Sequence, residues 1–423
     1  MIAPMENVKQ VIPAPLLVGA APFVALFAFR GTIILLILIA LLGLWGLFQK
    51  QWCFPSSRGW LAWTAALLIW CVASAVWAST PGLALPKSAE LLGLGLAGCL
   101  GLGYFRALDG AAADRILLAM IFGLISCAVI ALSDHMDGMM VSRLLHAMVG
   151  KPIAQGHAFS APKASATLAA IWAVLCVGAC WMRGWYRRAG LVLVSAFVII
   201  WVTNSNTGLV AAVVGFVALA VAWWFPRAVR MILASCLVIG FAVGGLASSI
   251  PNTWDIAQKI RQIPPSGLHR LAIWQFTGQR IDERPLLGWG LDSSRALPGG
   301  EDDIPVTLKF VDEPREEATN CKPGRVCVMQ LQALPLHPHN FVLQVWVELG
   351  AVGAFLFCGM VVAILRARGG ADPGTSTALA VIATSAMVAM AGYGIWQIWW
   401  LSALWLSALV AVAVLQPPYA KAC

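Results

Sequence analysis

Long apolar runs separated by short polar connections dominate the chain. Twelve of these runs have about the length, ~20 residues, that a helix needs to cross a bilayer. Because they are unbroken rather than alternating, they exclude the strands of a membrane β-barrel. The pattern therefore predicts an all-α polytopic membrane protein with about 12 transmembrane helices. We place them at about 15–29, 32–48, 60–78, 88–105, 115–133, 164–182, 189–203, 208–225, 230–247, 340–365, 375–392 and 395–414.

Lysine and arginine residues flank these runs unevenly. The short loops on one side hold only Arg30 and Lys87. Because cytoplasmic loops are enriched in cations, we expect that side to face outward and both termini to be cytoplasmic. We also expect no removable signal peptide, because Met1–Pro13 shows no cleavage site before a short apolar core. The cations on the inward side are Lys50, Arg58, Arg106, Arg115, Arg183, Arg187, Arg188, Arg227, Arg230, Arg366 and Arg368.

Two outward connections are long, about 134–163 and about 248–339. They divide the chain into three parts. These are 1–247 with nine helices and the smaller loop, the large loop 248–339, and 340–423 with three helices and a cytoplasmic C-terminus. Polar residues collect wherever helices are absent, yet no inward loop holds a histidine. The six histidines in the two long connections are His135, His146, His157, His269, His337 and His339.

The large loop is expected to contain short helices. Asn252–Ile263 is amphipathic, and Leu268–Ile281 follows a Pro-Pro-Ser-Gly turn, so we predict a helix over each. The stretch Gly299–Arg325 is acidic, turn-rich and poorly periodic, so we expect a lid that orders over a site or a loop tied by its cysteine pair. Cys321 and Cys327 lie close enough in sequence for a disulfide, which would indicate an oxidising compartment.

Composition supports a membrane protein and argues against a nucleic-acid partner. Hydrophobic residues make up 60% of the chain and charged residues only 11%, far below the ~25% charged residues of ordinary soluble domains. The formal net charge is +9. The cations are scattered singly between apolar runs instead of forming a basic stretch, so we interpret them as topology signals.

The densest chemical motif is Leu-His-Pro-His-Asn-Phe, residues 336–341, directly before an apolar run. Asn340 is a suitable helix-start residue, so His339 is expected near the outer N-terminus of a helix, where a cationic imidazole is disfavoured. A neutral histidine there could accept a proton as a general base, with His337 in support. Alternatively, both rings only cap the helix. A metal site needs a third ligand, and no third histidine or cysteine has suitable spacing.

A second candidate group consists of cations outside the membrane. Arg270 shares a helical face with Trp274 and Thr277, where its guanidinium could bind phosphate oxygens. Arg280 and Arg284 are weaker candidates, because either could form a surface ion pair with a nearby acid.

Lys163 is expected at an outward helix N-terminus, where a cation is unfavourable unless an anion binds. An ordinary interfacial lysine that extends toward water is the alternative explanation.

Together these residues resemble the bacterial O-antigen ligase family, which is related to O-antigen polymerases and protein O-oligosaccharyltransferases. The resemblance rests on Arg270, the block Glu-Arg-Pro-Leu-Leu-Gly-Trp-Gly at 283–290, and His-Pro-His-Asn at 337–340. The twelve-helix layout with a large periplasmic loop late in the chain is also similar.

The resemblance implies a metal-independent, cofactor-free inverting glycosyltransferase in the bacterial inner membrane. Its partners would be undecaprenyl-pyrophosphate-linked O-antigen, lipid A-core and membrane lipids, with the site facing the periplasm. His339, supported by His337, would deprotonate the acceptor hydroxyl. Arg270, Lys163, Arg280 and Arg284 would stabilise the departing pyrophosphate.

One departure from the family pattern concerns the start of the eighth apolar run. Members often carry an arginine after a serine there, whereas this chain has Asn-Ser-Asn-Thr-Gly at 204–208. An O-antigen polymerase or a protein O-oligosaccharyltransferase would share the same base and cations. A secondary transporter is the alternative from a different class, and it would favour paired broken helices.

Overall fold

The computed structural model describes residues 13–53, 59–136, 138–148, 163–250, 265–309, 326–367 and 370–416. Within these ranges it contains 14 α-helices, four short 3-10 helices and one two-stranded sheet. The helices are α1 Pro13–Phe27, α2 Thr32–Phe48, α3 Gly59–Ala73, α4 Pro81–Arg106, α5 Gly110–Met136, α6 Met140–Met148, α7 Lys163–Met182, α8 Tyr186–Val202, α9 Asn206–Trp224, α10 Pro226–Gly244, α11 Pro265–Glu283, α12 Phe341–Ala367, α13 Pro373–Ala391 and α14 Ile398–Val414.

Each of the twelve predicted apolar runs coincides with one of these helices, and the two additional helices, α6 and α11, lie in the long connections. Nine helical segments in the described part of the chain are long and apolar enough to cross a membrane. Helices α1 and α14 are shorter and apolar. The prediction of an all-α polytopic membrane protein is confirmed.

Helix α7 forms the centre of the bundle. All residues from Ala164 to Cys180 are buried, and α7 packs against α1, α5, α8, α9, α13 and α14. Small residues permit close approach, which drives helix association where lipid is as apolar as the helix surface. At Gly178, for example, an added Cβ would lie 2.3 Å from Oγ1 of Thr377 in α13.

Connections between the helices gather at two ends of the bundle. At one end Thr32 donates through Oγ1 to the carbonyl of Trp399 at 2.9 Å, and Ser79 N donates to the carbonyl of Trp289. We call this the loop end, because the large loop lies there. At the opposite end Arg183 pairs with Asp114. This alternation agrees with the predicted order of connections, while the side of the membrane that each end faces stays a prediction.

The large loop contains one of the two predicted helices. Helix α11, Pro265–Glu283, confirms the helix predicted over Leu268–Ile281. The helix predicted over Asn252–Ile263 lies outside the described residues.

The same loop contains a β-hairpin that the sequence did not predict. Strand β1, Asp303–Lys309, pairs antiparallel with β2, Val326–Gln332, and Asp303 lies opposite Gln332. Within the stretch 299–325, expected to form a lid or a tied loop, residues 303–309 are therefore a strand. The pairing joins distant segments. In β1, Ile304, Val306 and Leu308 alternate with more polar residues, which is the period of a strand. Cys321 of the proposed disulfide lies outside the described residues.

Helix α12 is broken at Gly350, where φ is 64° and ψ is −166°, whereas the apolar run predicted one continuous helix. The loop block at 285–290 bonds the backbone groups that the break releases. Trp289 N donates to the carbonyl of Val347 at 2.9 Å, Gly290 N to that of Glu348 at 2.8 Å, and Ala351 N to that of Pro285 at 2.9 Å. Such a break is tolerated at membrane depth only where protein supplies these partners.

Replacing Gly350 with alanine is expected to destabilise the protein by at least 1–3 kcal/mol, the approximate cost of a side chain in this backbone region. An added Cβ would also lie 2.3 Å from the carbonyl oxygen of Leu286. The measurement is the thermal unfolding midpoint in detergent. Gly93→Ala is the matched control, because a Cβ at Gly93 meets nothing within 4 Å. Equal midpoints for the two variants would contradict the prediction.

Candidate functional site

A cavity of about 700 Å³ opens at the loop end. Its size falls within the ~300–1,000 Å³ of typical ligand sites. It is formed where α2, α4, α7, α12, the large loop and the connection 392–397 meet. The lining combines aromatic rings with charged groups and amides, and it includes Phe29, Arg30, Lys87, Glu90, Lys163, Asp292, Arg295, His337, Gln344, Tyr393, Trp396 and Trp399.

The His-Pro-His-Asn motif forms the turn that enters α12. Asn340 caps the helix, because its Oδ1 accepts hydrogen bonds from Val342 N at 3.0 Å and Leu343 N at 3.3 Å. His339 has a left-handed backbone, with φ of 53°, and it redirects the chain into the helix. The predicted position of His339 beside a helix N-terminus is therefore observed.

Hydrogen bonds assign the neutral forms of the two imidazole rings. Nδ1 of His339 lies 2.7 Å from the carbonyl oxygen of Gly392, and because a carbonyl only accepts, this nitrogen carries the proton. The backbone N–H of His339 donates to Nδ1 of His337 at 3.2 Å, so the proton of His337 is on Nε2. Nε2 of His339 has no hydrogen-bond partner among the described residues. Its lone pair can therefore accept a proton.

Both rings are held neutral by their surroundings. Burial, the neighbouring His339 and Arg295 lower the pKa of His337 to about 3. Burial is also the main cause that lowers the pKa of His339, with smaller contributions from Arg270 and His269, while the hydrogen bond to Gly392 opposes them. The sequence predicted a neutral ring from the helix N-terminus, whereas desolvation is the main cause here.

Arg270 lies beside the histidine motif. It is half-buried on α11, and its charge acts on His339. Trp274, one helical turn later, donates through Nε1 to the carbonyl of Pro338 at 2.9 Å. Thr277, the third residue of the predicted face, is fully buried. The histidine motif therefore lies between α11 and the cavity, which His337 lines.

Among the described residues that line the cavity, four are lysine or arginine, and of these only Lys163 was predicted as a site residue. Lys163 is the exposed first residue of α7, and Arg30 is exposed in the connection before α2. Lys87 pairs with Glu90, and Arg295 pairs with Asp292 at 3.0 Å.

Arg30 and Lys87 nevertheless carried a sequence signal. They are the cations of the short outward loops, where the topology rule disfavours them. Both of these cations line the cavity.

The two weaker arginine candidates lie outside the cavity lining. Arg280 pairs with Glu283 at 2.9 Å and lies over the ring of Phe276. Arg284 lies over the ring of Trp289, 4.1 Å from its centroid. The ion pair of Arg280 is therefore the kind of surface pair that the sequence suggested for it, whereas Arg284 contacts a ring.

Ser205, in the stretch that departs from the family pattern, caps α9, because its Oγ accepts a hydrogen bond from Gly208 N.

Among the described residues, no group of three or more histidine, cysteine, aspartate or glutamate side chains could hold a metal ion. The rings of His337 and His339 have centroids 4.3 Å apart.

The fold and the site define a polytopic membrane protein with a histidine- and cation-lined site at one end of its helical bundle. Residues 190–358 match the family model described as O-antigen ligase. This segment includes the large loop, the histidine motif and the break in α12. The match supports assignment of the chain to the O-antigen ligase family.

Two relatives named "putative polysaccharide ligase" are similar to this chain. The protein from Rickettsia conorii is 29% identical over 211 residues, which cover 48% of this chain and 47% of the relative. The protein from Rickettsia felis is 27% identical over 235 residues, which cover 54% and 52%. The chain thus aligns with about half the length of these relatives. No solved structure shows significant similarity.

Proposed function

We propose that the protein is an O-antigen ligase that transfers O-antigen polysaccharide from undecaprenyl pyrophosphate to lipid A-core. The reaction takes place at the periplasmic face of the bacterial inner membrane. The observation that carries the proposal is the hydrogen bonding of His339, whose Nδ1 proton is held by Gly392 while Nε2 is left as a base. The family match supports the reaction class, and the donor and the acceptor are part of the proposal.

In the transfer step Nε2 of His339 takes the proton of the acceptor hydroxyl. The hydroxyl oxygen attacks the anomeric carbon of the donor and forms the new glycosidic bond with inversion. The bond from that carbon to the phosphate oxygen breaks, and undecaprenyl pyrophosphate leaves with the electron pair. Arg270, next to His339 and half-buried, stabilises the negative charge on the leaving group, because partial desolvation strengthens the interaction.

The cavity has the chemistry that a phosphorylated glycan needs. Lys163 and Arg30 supply exposed positive charge for phosphate oxygens. Tyr393 and Trp399 form an aromatic corner with ring centroids 4.5 Å apart, and Gln344 offers an amide. Because both substrates are lipid-anchored, a site at one end of the bundle can receive their reactive groups from the membrane surface.

A secondary transporter is the alternative from another class, and the break in α12 resembles one feature of transporters. In transporters such breaks expose backbone groups to substrate. Here the freed groups bond to the loop block at 285–290 instead. This observation favours a structural break over a transport site.

The test is a ligation assay with purified protein, undecaprenyl-pyrophosphate-linked O-antigen and lipid A-core, in the presence of a chelator. The expected result is lipid A-core that carries polysaccharide, seen as a mobility shift on a gel. Lengthening of the lipid-linked glycan would indicate a polymerase, and transfer to a protein would indicate an oligosaccharyltransferase. Substrate movement across liposomes without transfer would indicate a transporter. Activity that requires added divalent metal would contradict metal independence.

A further inference from the structure

Glu348 is a fully buried carboxylate in the last turn before the break in α12. Its two oxygens accept four hydrogen bonds. Oε1 accepts from Ser294 Oγ at 2.5 Å and from Gln344 Nε2 at 3.0 Å. Oε2 accepts from Asp292 N at 2.5 Å and from Trp396 Nε1 at 2.7 Å. The side chain is outside the cavity lining, although three of its partners line the cavity.

The partners of Glu348 match an acceptor-only group. The backbone N–H and the indole N–H can only donate. The amide of Gln344 is also fixed as a donor, because its Oε1 accepts from Ile395 N at 2.9 Å. An ionised carboxylate satisfies all four groups, whereas a carboxamide would place an NH₂ group against another donor.

Glu348 joins two segments that form the site. Through Gln344 and Trp396 it holds the connection 392–397, and that connection includes Gly392, the partner of Nδ1 in His339. Through Asp292 and Ser294 it holds the large loop next to Arg295. A buried charge is costly unless it is fully hydrogen-bonded, so a carboxylate here needs a reason beyond packing.

We propose that Glu348 is a positioning residue that fixes the partner of the histidine base and the cationic part of the cavity relative to each other. This inference rests on the proposed function. Glu348 does not contact substrate; it acts through the connection 392–397 and the loop at 292–295. Outer residues of this kind orient the groups that do the chemistry.

The first test compares Glu348→Gln and Glu348→Asp with wild type in the ligation assay. For Glu348→Gln we expect kcat to fall about 10- to 100-fold, the order associated with small misplacement of reacting groups, with little change in KM for the donor. Glu348→Asp keeps the charge and is expected to recover part of the loss. Asp114→Asn, a carboxylate change at the opposite end, is the control with unchanged kcat. A wild-type kcat in Glu348→Gln would overturn the inference.

The second test needs no transfer activity. Diethyl pyrocarbonate labelling of His339 at different pH values, followed by mass spectrometry, measures its protonation in the substrate-free protein. The bond to Gly392 raises the pKa of His339, so its loss in Glu348→Gln is expected to move the labelling midpoint to lower pH. The other charged or titratable groups that act on His339 are His269 and Arg270, with His337 in ring contact.

The two tests separate failure of the inference from failure of the proposed function. A wild type that transfers nothing, together with a shifted midpoint in Glu348→Gln, would reject the ligase function and retain the positioning role. An active wild type with an unchanged midpoint in Glu348→Gln would reject the positioning role.

A milder variant covers the case in which Glu348→Gln does not fold. Ser294→Ala removes only one of the four hydrogen-bond donors to Glu348. It is expected to lower kcat by a smaller factor, roughly tenfold or less, and unchanged kcat and midpoint would overturn the inference.

Discussion

His339→Ala is expected to lower kcat/KM for polysaccharide transfer by about 10²–10⁴-fold, the usual contribution of a general base. The reason is that Nδ1 of His337 and Nδ1 of His339 both form hydrogen bonds, whereas the lone pair of Nε2 in His339 can accept a proton. The measurement is the initial rate of lipid A-core modification by purified protein.

The pH dependence of the wild type gives a second expectation. Burial lowers the pKa of His339 below its ordinary 6.5, and the active form of the ring is deprotonated. The acidic limb of the wild-type kcat/KM profile should therefore lie below pH 6.5.

His337→Ala is the matched variant for this experiment. Nδ1 of His337 already accepts the backbone N–H of His339, so its loss should disturb the turn without removing the base. We expect a smaller decrease, about tenfold, as for other supporting groups. Full activity in His339→Ala, or a greater loss in His337→Ala, would shift the role of base to His337.

Arg270→Ala is expected to lower kcat by about 10²–10³-fold, the effect of removing one group that stabilises developing charge. Arg270→Lys keeps the charge but loses the planar fork, and should recover only part of the rate. Initial rates with the pyrophosphate-linked donor provide the measurement.

Arg270→Ala should also change the pH profile of kcat/KM. Arg270 lowers the pKa of His339, so its removal should raise that pKa and move the acidic limb to higher pH. Arg280→Ala is the comparison, because its guanidinium pairs with Glu283, and it should show a much smaller loss. Equal losses in the two alanine variants would argue against a specific role for Arg270.

The helical fold could be predicted because each membrane helix is a local signal. A run of about 20 apolar residues is readable without knowledge of its neighbours, and all twelve runs proved helical. The hairpin of β1 and β2 and the break at Gly350 depend on partners far away in the sequence. Glycine inside an apolar helix is ordinary, and only the approach of the Leu286 carbonyl shows why Gly350 cannot carry a side chain.

The candidate site was predictable in part for the same reason. His337, His339 and Arg270 lie in compact motifs and meet around one turn. Arg30 and Arg295 come from separate connections, and only the folded bundle brings them to one cavity. Glu348 looked like a polar residue near a helix end, because hydropathy gives no sign of a break that places four donors around it.

The pairing of the loop block 285–290 with residues 347–352 has a consequence for chimeric proteins. An added Cβ at Gly288 would lie 2.5 Å from the backbone of Glu348, and one at Gly350 would lie 2.3 Å from that of Leu286. The two segments therefore have to be inherited from one parent. When the large loop is exchanged between related proteins, crossover points before 285 and after 352 keep this pairing intact. A crossover at Phe341, the start of the helix, would divide it.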